Sequence, residues 1–229
     1  MTTIRVLSGG APQEVLAVLT PDFEKNTGNS FTFTFAVITA LRERLAAGED
    51  ADLALLPVPV IDELIKAGQL RAEGRATLGR VRLTAIVKEG AAKPDISSAE
   101  SFKATLLNAR SLVHATPGQT PSGGHLAKVL EQLGIAEAMR PKTIHRPALA
   151  GGVELVAKGE AEIGIYPTSE VITVKGVTVV GPIPDALQLN TIYGAAVIAK
   201  AASPEVAAAY IAFLADPANR KHWTHGGFD

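Results

Sequence analysis

The stretch Ile4-Arg5-Val6-Leu7-Ser8-Gly9-Gly10-Ala11-Pro12, continued by Gln13-Glu14-Val15-Leu16-Ala17-Val18-Leu19, decides the fold class. Its opening is a short apolar run with β-branched residues, which reads as a strand, and Gly9-Gly10 is a turn. Pro12 has the fixed φ of a first helical turn, and Val15, Leu16, Val18, Leu19 and Phe23 recur at helical spacing as far as the stop at Gly28. Pro21 is where a kink in that helix is expected. The alternation then repeats. Phe31 to Phe35 is a strand, Ile38 to Ala47 a helix ended by Gly48, Asp52 to Leu55 a strand, and Val60 to Ala67 a helix ended by Gly68. Strands that alternate with helices of this length need crossover connections, so the chain is α/β with parallel strands.

Reading outward, Val81 to Val87 is a further strand, and the turn-rich Lys88 to Ser98 leads into a second α/β unit. That unit comprises a helix at Ala99 to Leu107, a strand at Ser111 to His114 and a helix at Ser122 to Leu133. A strand at Lys142 to His145, a helix at Leu149 to Lys158 and a strand at Glu162 to Ile165 follow, and the unit ends near Gly181-Pro182. Thr191 to Ala199 is a strand able to carry the chain back, Pro204 to Ala215 is an Ala-rich helix, and a short helix follows Pro217. The expected organisation is two lobes, residues 1–80 with 196–229 and residues 81–195. Hinge strands near 81–88 and 190–199 would join them, with a ligand cleft in between.

Bulk properties narrow the function. In 229 residues, 47% hydrophobic and 20% charged composition is that of a folded globular chain. A net charge of -1 without blocks of like charge excludes an electrostatic footprint for nucleic acid. With no cysteine there is neither disulfide nor thiolate chemistry, and the five histidines, His114, His125, His145, His222 and His225, are too scattered for a metal site to be expected. No cofactor is expected. The apolar runs are too short to span a membrane, and no secretory leader is legible ahead of the first strand. The chain is therefore expected to be cytoplasmic, or periplasmic if an export signal has been removed, and to act as a monomer.

Several local signatures, in their order and spacing, resemble the type II periplasmic solute-binding proteins, in the branch similar to molybdate-binding proteins, which aconitate isomerase also resembles. They are Val6-Leu7-Ser8-Gly9-Gly10-Ala11, Leu45-Ala46-Ala47-Gly48 with Ala51-Asp52-Leu53, and Pro121-Ser122-Gly123 opening a helix that ends at Leu133-Gly134. Leu155 to Gly164 and Phe213-Leu214-Ala215-Asp216-Pro217 complete the set. The resemblance covers nearly the whole chain. It implies a binding protein that closes around a small anion, either an oxyanion or an organic carboxylate, with an ABC permease as partner if the chain is exported. It also puts Ala11 and Ile38 where binding serines are expected, with Ser8 and Thr39 close by. Tyr166 falls one place before a binding tyrosine, at whose position stands Pro167.

Ligands of α/β sheets bind beyond the carboxyl ends of strands, where helix N-termini present free N–H groups. That rule selects the loops Ser8 to Ala11, Ala36 to Thr39, Thr116 to Gly123, Ala148 to Gly152 and Tyr166 to Ser169. The candidate ligand-binding residues are accordingly Ser8, Gly9, Gly10, Ala11, Thr39, Thr120, Ser122, Gly123, Leu149 and Tyr166. Ser122 serves equally as helix N-cap or anion donor. Arg146 is placed to pair with a carboxylate or to face water. Gly118 and Gly123 have phosphate-loop spacing, yet Gly124-His125 stands where Lys and Ser or Thr are required. No Gly-x-Ser-x-Gly elbow is present. If the chain is an isomerase moving a proton on a small polycarboxylate, His125 or Tyr166 is the candidate base. Asp52 and Glu170 read as structural acids. A sensing domain is the third reading, and no helix-turn-helix precedes the first strand to support it.

Overall fold

The computed structural model describes residues 2–147 and 151–229. The chain divides into two compact units, Met1–Val81 with Thr191–Asp229, and Arg82–Asn190. In chain order the first unit contributes β1 (Thr3–Ser8), α1 (Gln13–Thr27), β2 (Ser30–Phe35), α2 (Ile38–Ala46), β3 (Leu53–Pro57), α3 (Val58–Lys66) and β4 (Ala76–Val81). The second follows with β5 (Leu83–Lys88), α4 (Ala99–Asn108), β6 (Leu112–Ala115), α5 (Pro121–Gln132), α6 (Ala136–Met139), β7 (Thr143–Arg146), α7 (Gly152–Lys158), β8 (Ile163–Pro167), α8 (Thr168–Val171) and β9 (Val177–Pro182). The chain then returns to the first unit as β10 (Thr191–Val197), α9 (Pro204–Leu214) and α10 (Arg220–His225).

Each unit is a mixed sheet covered on both faces. The strand orders are β2-β1-β3-β10-β4 and β7-β6-β8-β5-β9. In the first, β1, β2 and β3 are parallel, with Ser8 level with Phe35 and Leu55, while β10 runs antiparallel and sets Tyr193 opposite Pro57. In the second, β6, β7 and β8 are parallel, with Ala115 beside Arg146, and β5 is antiparallel, with Thr84 beside Tyr166. The carboxyl ends of three strands, and the loops that leave them, thus share one edge of each sheet.

Two-sided burial explains why the central strands are apolar at every position rather than at alternate ones. Leu53 and Leu55 join the core under α1, α9 and α10, whereas Ala54 and Leu56 join the one under α2 and α3. In the second unit Leu112, Ile163 and Ile165 face Phe102, Leu126 and Met139, and Val113 and Tyr166 face Val156 and Val171. The helix α1 is capped by Gly28 in the left-handed region (φ 70°), whose N–H donates to Glu24 O, and it carries Pro21 on its exposed side. Asp52, buried just before β3, accepts the backbone N–H groups of Arg5 (2.9 Å) in β1 and Ser203 (3.0 Å) at the start of α9, and so ties both to β3.

Several elements differ from the sequence reading. The single strand read over Val81 to Val87 is two strands in two different sheets, broken at Arg82, because one apolar run serves both units. Neither β4 nor β9 was legible as a strand. Residues 191–195, assigned from sequence to the second lobe, pair with β3 and β4 in the first. Ser122 is not the N-cap of α5: Thr120 is, its Oγ1 accepting from Gly123 N at 3.0 Å. Pro121 explains the shift, since proline is favoured at the first helical position and the cap must precede it.

Candidate functional site

In the first unit the strand-end loops are internally satisfied. Ser8 is fully buried, and its hydroxyl donates to its neighbour's carbonyl, Gly9 O, at 2.8 Å. Gly9 N–H is engaged by Leu55 O (3.0 Å) and Ala36 N–H by Ser8 O (3.2 Å), which fastens the two loops together. A Cβ at Gly9 would lie 3.1 Å from both Ile38 Cδ1 and Tyr193 Oη, so a side chain here would have to push those two back by a few tenths of an ångström. Gly10 and Ala11 continue the loop, with Ala11 buried, and Thr39 lies exposed in the first turn of α2. The structure therefore adds Tyr193 to this edge. Sequence reasoning missed it because β10 arrives from the far end of the chain, and only its antiparallel pairing with β3 brings the ring to Gly9.

The edge of the second unit is built differently. Thr116 donates both its N–H (2.8 Å) and its hydroxyl (3.1 Å) to Arg146 O, joining the loops after β6 and β7. Thr120 caps α5 and lies 3.0 Å from the Ser122 hydroxyl, so the two candidate donors form one cluster. At Gly123 the helix presses onto the strand end: a Cβ would sit 2.4 Å from Ala115 O. Leu149, with Ala148 and Ala150, lies outside the described residues.

Tyr166 closes this edge. Its ring is buried, and its Oη sits over the first residue of α7, where a Cβ on Gly152 would come within 1.9 Å. Among the described residues this hydroxyl has no hydrogen-bond partner, and the same holds for the buried Ser169 hydroxyl and His114 Nε2. Buried polar groups without partners are rare and costly, at about 1–3 kcal/mol each. Burial, then the nearby charges of Glu170 and Glu154, hold the Tyr166 phenol well above the ordinary tyrosine range, with Arg146 opposing, so at neutral pH it keeps its proton and acts as a donor. Glu170 follows one turn later in α8. Thr168 anchors that turn by donating its N–H (2.9 Å) and hydroxyl (3.0 Å) to Arg82 O. Burial pushes the Glu170 carboxyl up to about 7.

The histidines separate by their bonds. His125 Nε2 lies 2.8 Å from Leu187 O. A carbonyl only accepts, so Nε2 carries the proton and the ring ties α5 to the turn Asp185–Leu187. His114 is buried on β6 with Nδ1 donating to Ala115 O (2.8 Å), and its ring meets His145 edge-on at 4.8 Å. Burial first, and the neighbouring His145 second, push His114 down to about 4. Among the described residues no group of three or more His, Cys, Asp or Glu is placed to hold a metal ion, and no helix is long and apolar enough to cross a membrane.

Known proteins resemble this chain in sequence and in fold. Residues 4–229 match the family model of the bacterial extracellular solute-binding proteins. The chain is 34% identical over 221 residues to an aconitate isomerase from a Pseudomonas species, covering 94% of this chain and 83% of that one. It is 24% identical over 197 residues to the molybdate-binding protein ModA of Escherichia coli K12, covering 85% and 77%. Among solved structures, the periplasmic molybdate-binding protein of Azotobacter vinelandii superposes with a TM-score of 0.79 at 16% identity, over 99% of this chain and 98% of that one, and so shares its fold. With a family model matched from the first strand to the last residue and a relative at this identity along nearly the whole length, the chain belongs to the bacterial extracellular solute-binding protein family.

Proposed function

We propose that this chain binds a small organic polycarboxylate through neutral donors at its strand ends. The observation that carries the proposal is Tyr166, a protonated, buried phenol whose hydroxyl has no partner among the described residues. Such a group supplies a strong donor to an anion's oxygen and costs stability when it lacks one. Ser169, Thr120 and Ser122 lie on neighbouring loops of the same sheet edge and supply further hydroxyls. Between the two anion classes open at the sequence level, the carboxylate is favoured because Ala11 and Ile38 stand where the oxyanion-binding serines are expected, and because the relative of 34% identity is an aconitate isomerase. Hinge closure on binding and, for an exported chain, delivery to an ABC permease belong to the same proposal.

A titration of thermal stability against citrate, cis-aconitate, trans-aconitate, molybdate, tungstate and sulfate tests it. A ligand at about 100 times its Kd stabilises by about 2.7 kcal/mol. Stabilisation by carboxylates and not by the inorganic anions is the expected result, with Tyr166→Phe weakening binding about tenfold, the loss of one hydrogen bond to a charged group. Stabilisation by molybdate or tungstate alone sinks the carboxylate reading.

The isomerase reading is the second one. It is favoured by the same relative and by Glu170, a proton-exchanging group beside Tyr166.

A further inference from the structure

We propose that Glu170 is a catalytic residue, the general base that moves a proton along an unsaturated polycarboxylate held at the strand ends of the second unit. The inference rests on the carboxylate-binding reading and adds to it a named acid–base group. Glu170 stands at the third position of α8, directly beyond the carboxyl end of β8, and α8 is fixed there from both sides. Thr168 holds the turn through its two bonds to Arg82 O, and Val171 is buried against Tyr166 and Val156. Glu170 thus stands on a short turn next to Ser169 in sequence, its charge acts on the Tyr166 phenol, and among the described residues Tyr166 Oη and Ser169 Oγ are buried without partners. Among the described residues Glu170 forms no ion pair and no hydrogen bond, in contrast to the buried Asp52, whose oxygens are occupied by two backbone N–H groups. Donors without acceptors are groups that a ligand carboxylate completes, and an acid held by no cation beside them is free to exchange a proton with that ligand.

The chemistry balances without a co-reactant. Glu170, as carboxylate, removes a proton from the methylene carbon next to the double bond of the bound ligand. The C–H bond breaks, its electron pair joins the adjacent alkene as an allylic carbanion, and negative charge spreads onto the flanking carboxylates. Tyr166 and Ser169 donate hydrogen bonds to those oxygens as the charge grows. Protonated Glu170 then returns its proton to the far allylic carbon, the double bond has shifted, and the residue is ready for the next turnover. The carboxyl's position near 7 suits this cycle: it is a stronger base than an ordinary glutamate and remains partly ionised at neutral pH.

The test incubates the full chain with cis-aconitate and with trans-aconitate in D2O, follows deuterium entry at carbon by NMR, and measures binding of the same ligands by calorimetry. The unmodified protein is expected to bind and to exchange, at a rate that rises with pH and levels off above about 7. Glu170→Gln is expected to lose exchange by about a hundredfold or more, the usual contribution of a general base, while binding at least as tightly, since a carboxylate facing an anion has been made neutral. Glu170→Asp, checked for folding by its melting curve, is expected to keep measurable exchange and so to separate chemistry from structure. Binding without exchange in the unmodified protein overturns the role of Glu170 and leaves the binding site standing. Undiminished exchange in Glu170→Gln moves the base elsewhere, and absence of binding by both ligands removes the site and the base together.

Discussion

The two sheet edges are built on one plan and differ in how their polar groups are paired. In the first unit the buried groups answer one another: Ser8 donates to Gly9 O, and Asp52 accepts from Arg5 and Ser203. In the second, Tyr166 Oη, Ser169 Oγ and His114 Nε2 are buried without partners among the described residues, and Glu170 is held where burial raises it to about 7. Folding alone favours the first arrangement, because each unpaired buried group costs free energy. Groups left unpaired on a well-packed scaffold are instead available to a ligand, and stability given up at a site is a common consequence of function. The proposed ligand contacts accordingly fall on the second unit's edge.

The largest expected effect contrasts the two acids. Asp52→Ala leaves two part-buried N–H groups without the carboxylate that accepted them, so a loss of about 2–4 kcal/mol is expected. Urea unfolding measures it. Glu170→Gln, by contrast, removes no bond and is expected to leave stability unchanged at pH 4 and to raise it at pH 8. Equal losses in the two variants at pH 8 would erase the distinction between the edges.

Glycines offer a second contrast. At Gly123 the atom met by a new Cβ is backbone, Ala115 O at 2.4 Å, so strand and helix must part, and Gly123→Ala is expected to cost about 2–3 kcal/mol. At Gly9 the atoms met are side-chain ends of Ile38 and Tyr193 at 3.1 Å, which can yield by a few tenths of an ångström. Gly9→Ala is expected to cost less than about 1 kcal/mol by the same unfolding measurement. A larger cost at Gly9 would show that the first edge is the more tightly packed of the two.

Sequence periodicity carried the fold this far because β1 through α3 each have one clear signal: a β-branched run, a helical stripe or a terminal glycine. The reading failed where one segment served two purposes. Val81 to Val87 is continuous in hydrophobicity and yet changes sheets at Arg82, and β9 is a half-buried strand flanking β5 with no strict alternation. The N-cap of α5 was partly legible, since proline's preference for the first helical position puts the cap at Thr120, before Pro121. The site was legible only as loops. Tyr166 was named from its place after a strand, but its lack of a partner, the approach of Tyr193 to Gly9, and the recessed position of Glu170 arise from packing between residues far apart in sequence. An acid in a sequence carries no mark of whether two N–H groups or none await it, which is why Asp52 and Glu170 read alike.

The subtlest expected effect lies in the pH dependence of stability, where His114 and Glu170 act in opposite senses. The Glu170 carboxyl is raised from 4.5 to about 7, so between those values the folded chain holds a proton that the unfolded chain has released, and stability falls as pH rises. The His114 imidazole is lowered from 6.5 to about 4, so between those values the unfolded chain holds the extra proton, and stability rises with pH. The windows overlap from pH 4.5 to 6.5, and there the two contributions, each about 2–3 kcal/mol, offset each other. In a series of urea titrations across that range, these two residues should leave the unmodified protein nearly level. Glu170→Gln is expected to unmask a rise with pH, and His114→Phe a fall. Were all three proteins to share one slope, neither group would be held as far from its ordinary range as its burial implies, and the second edge would lose the tension that sets it apart from the first.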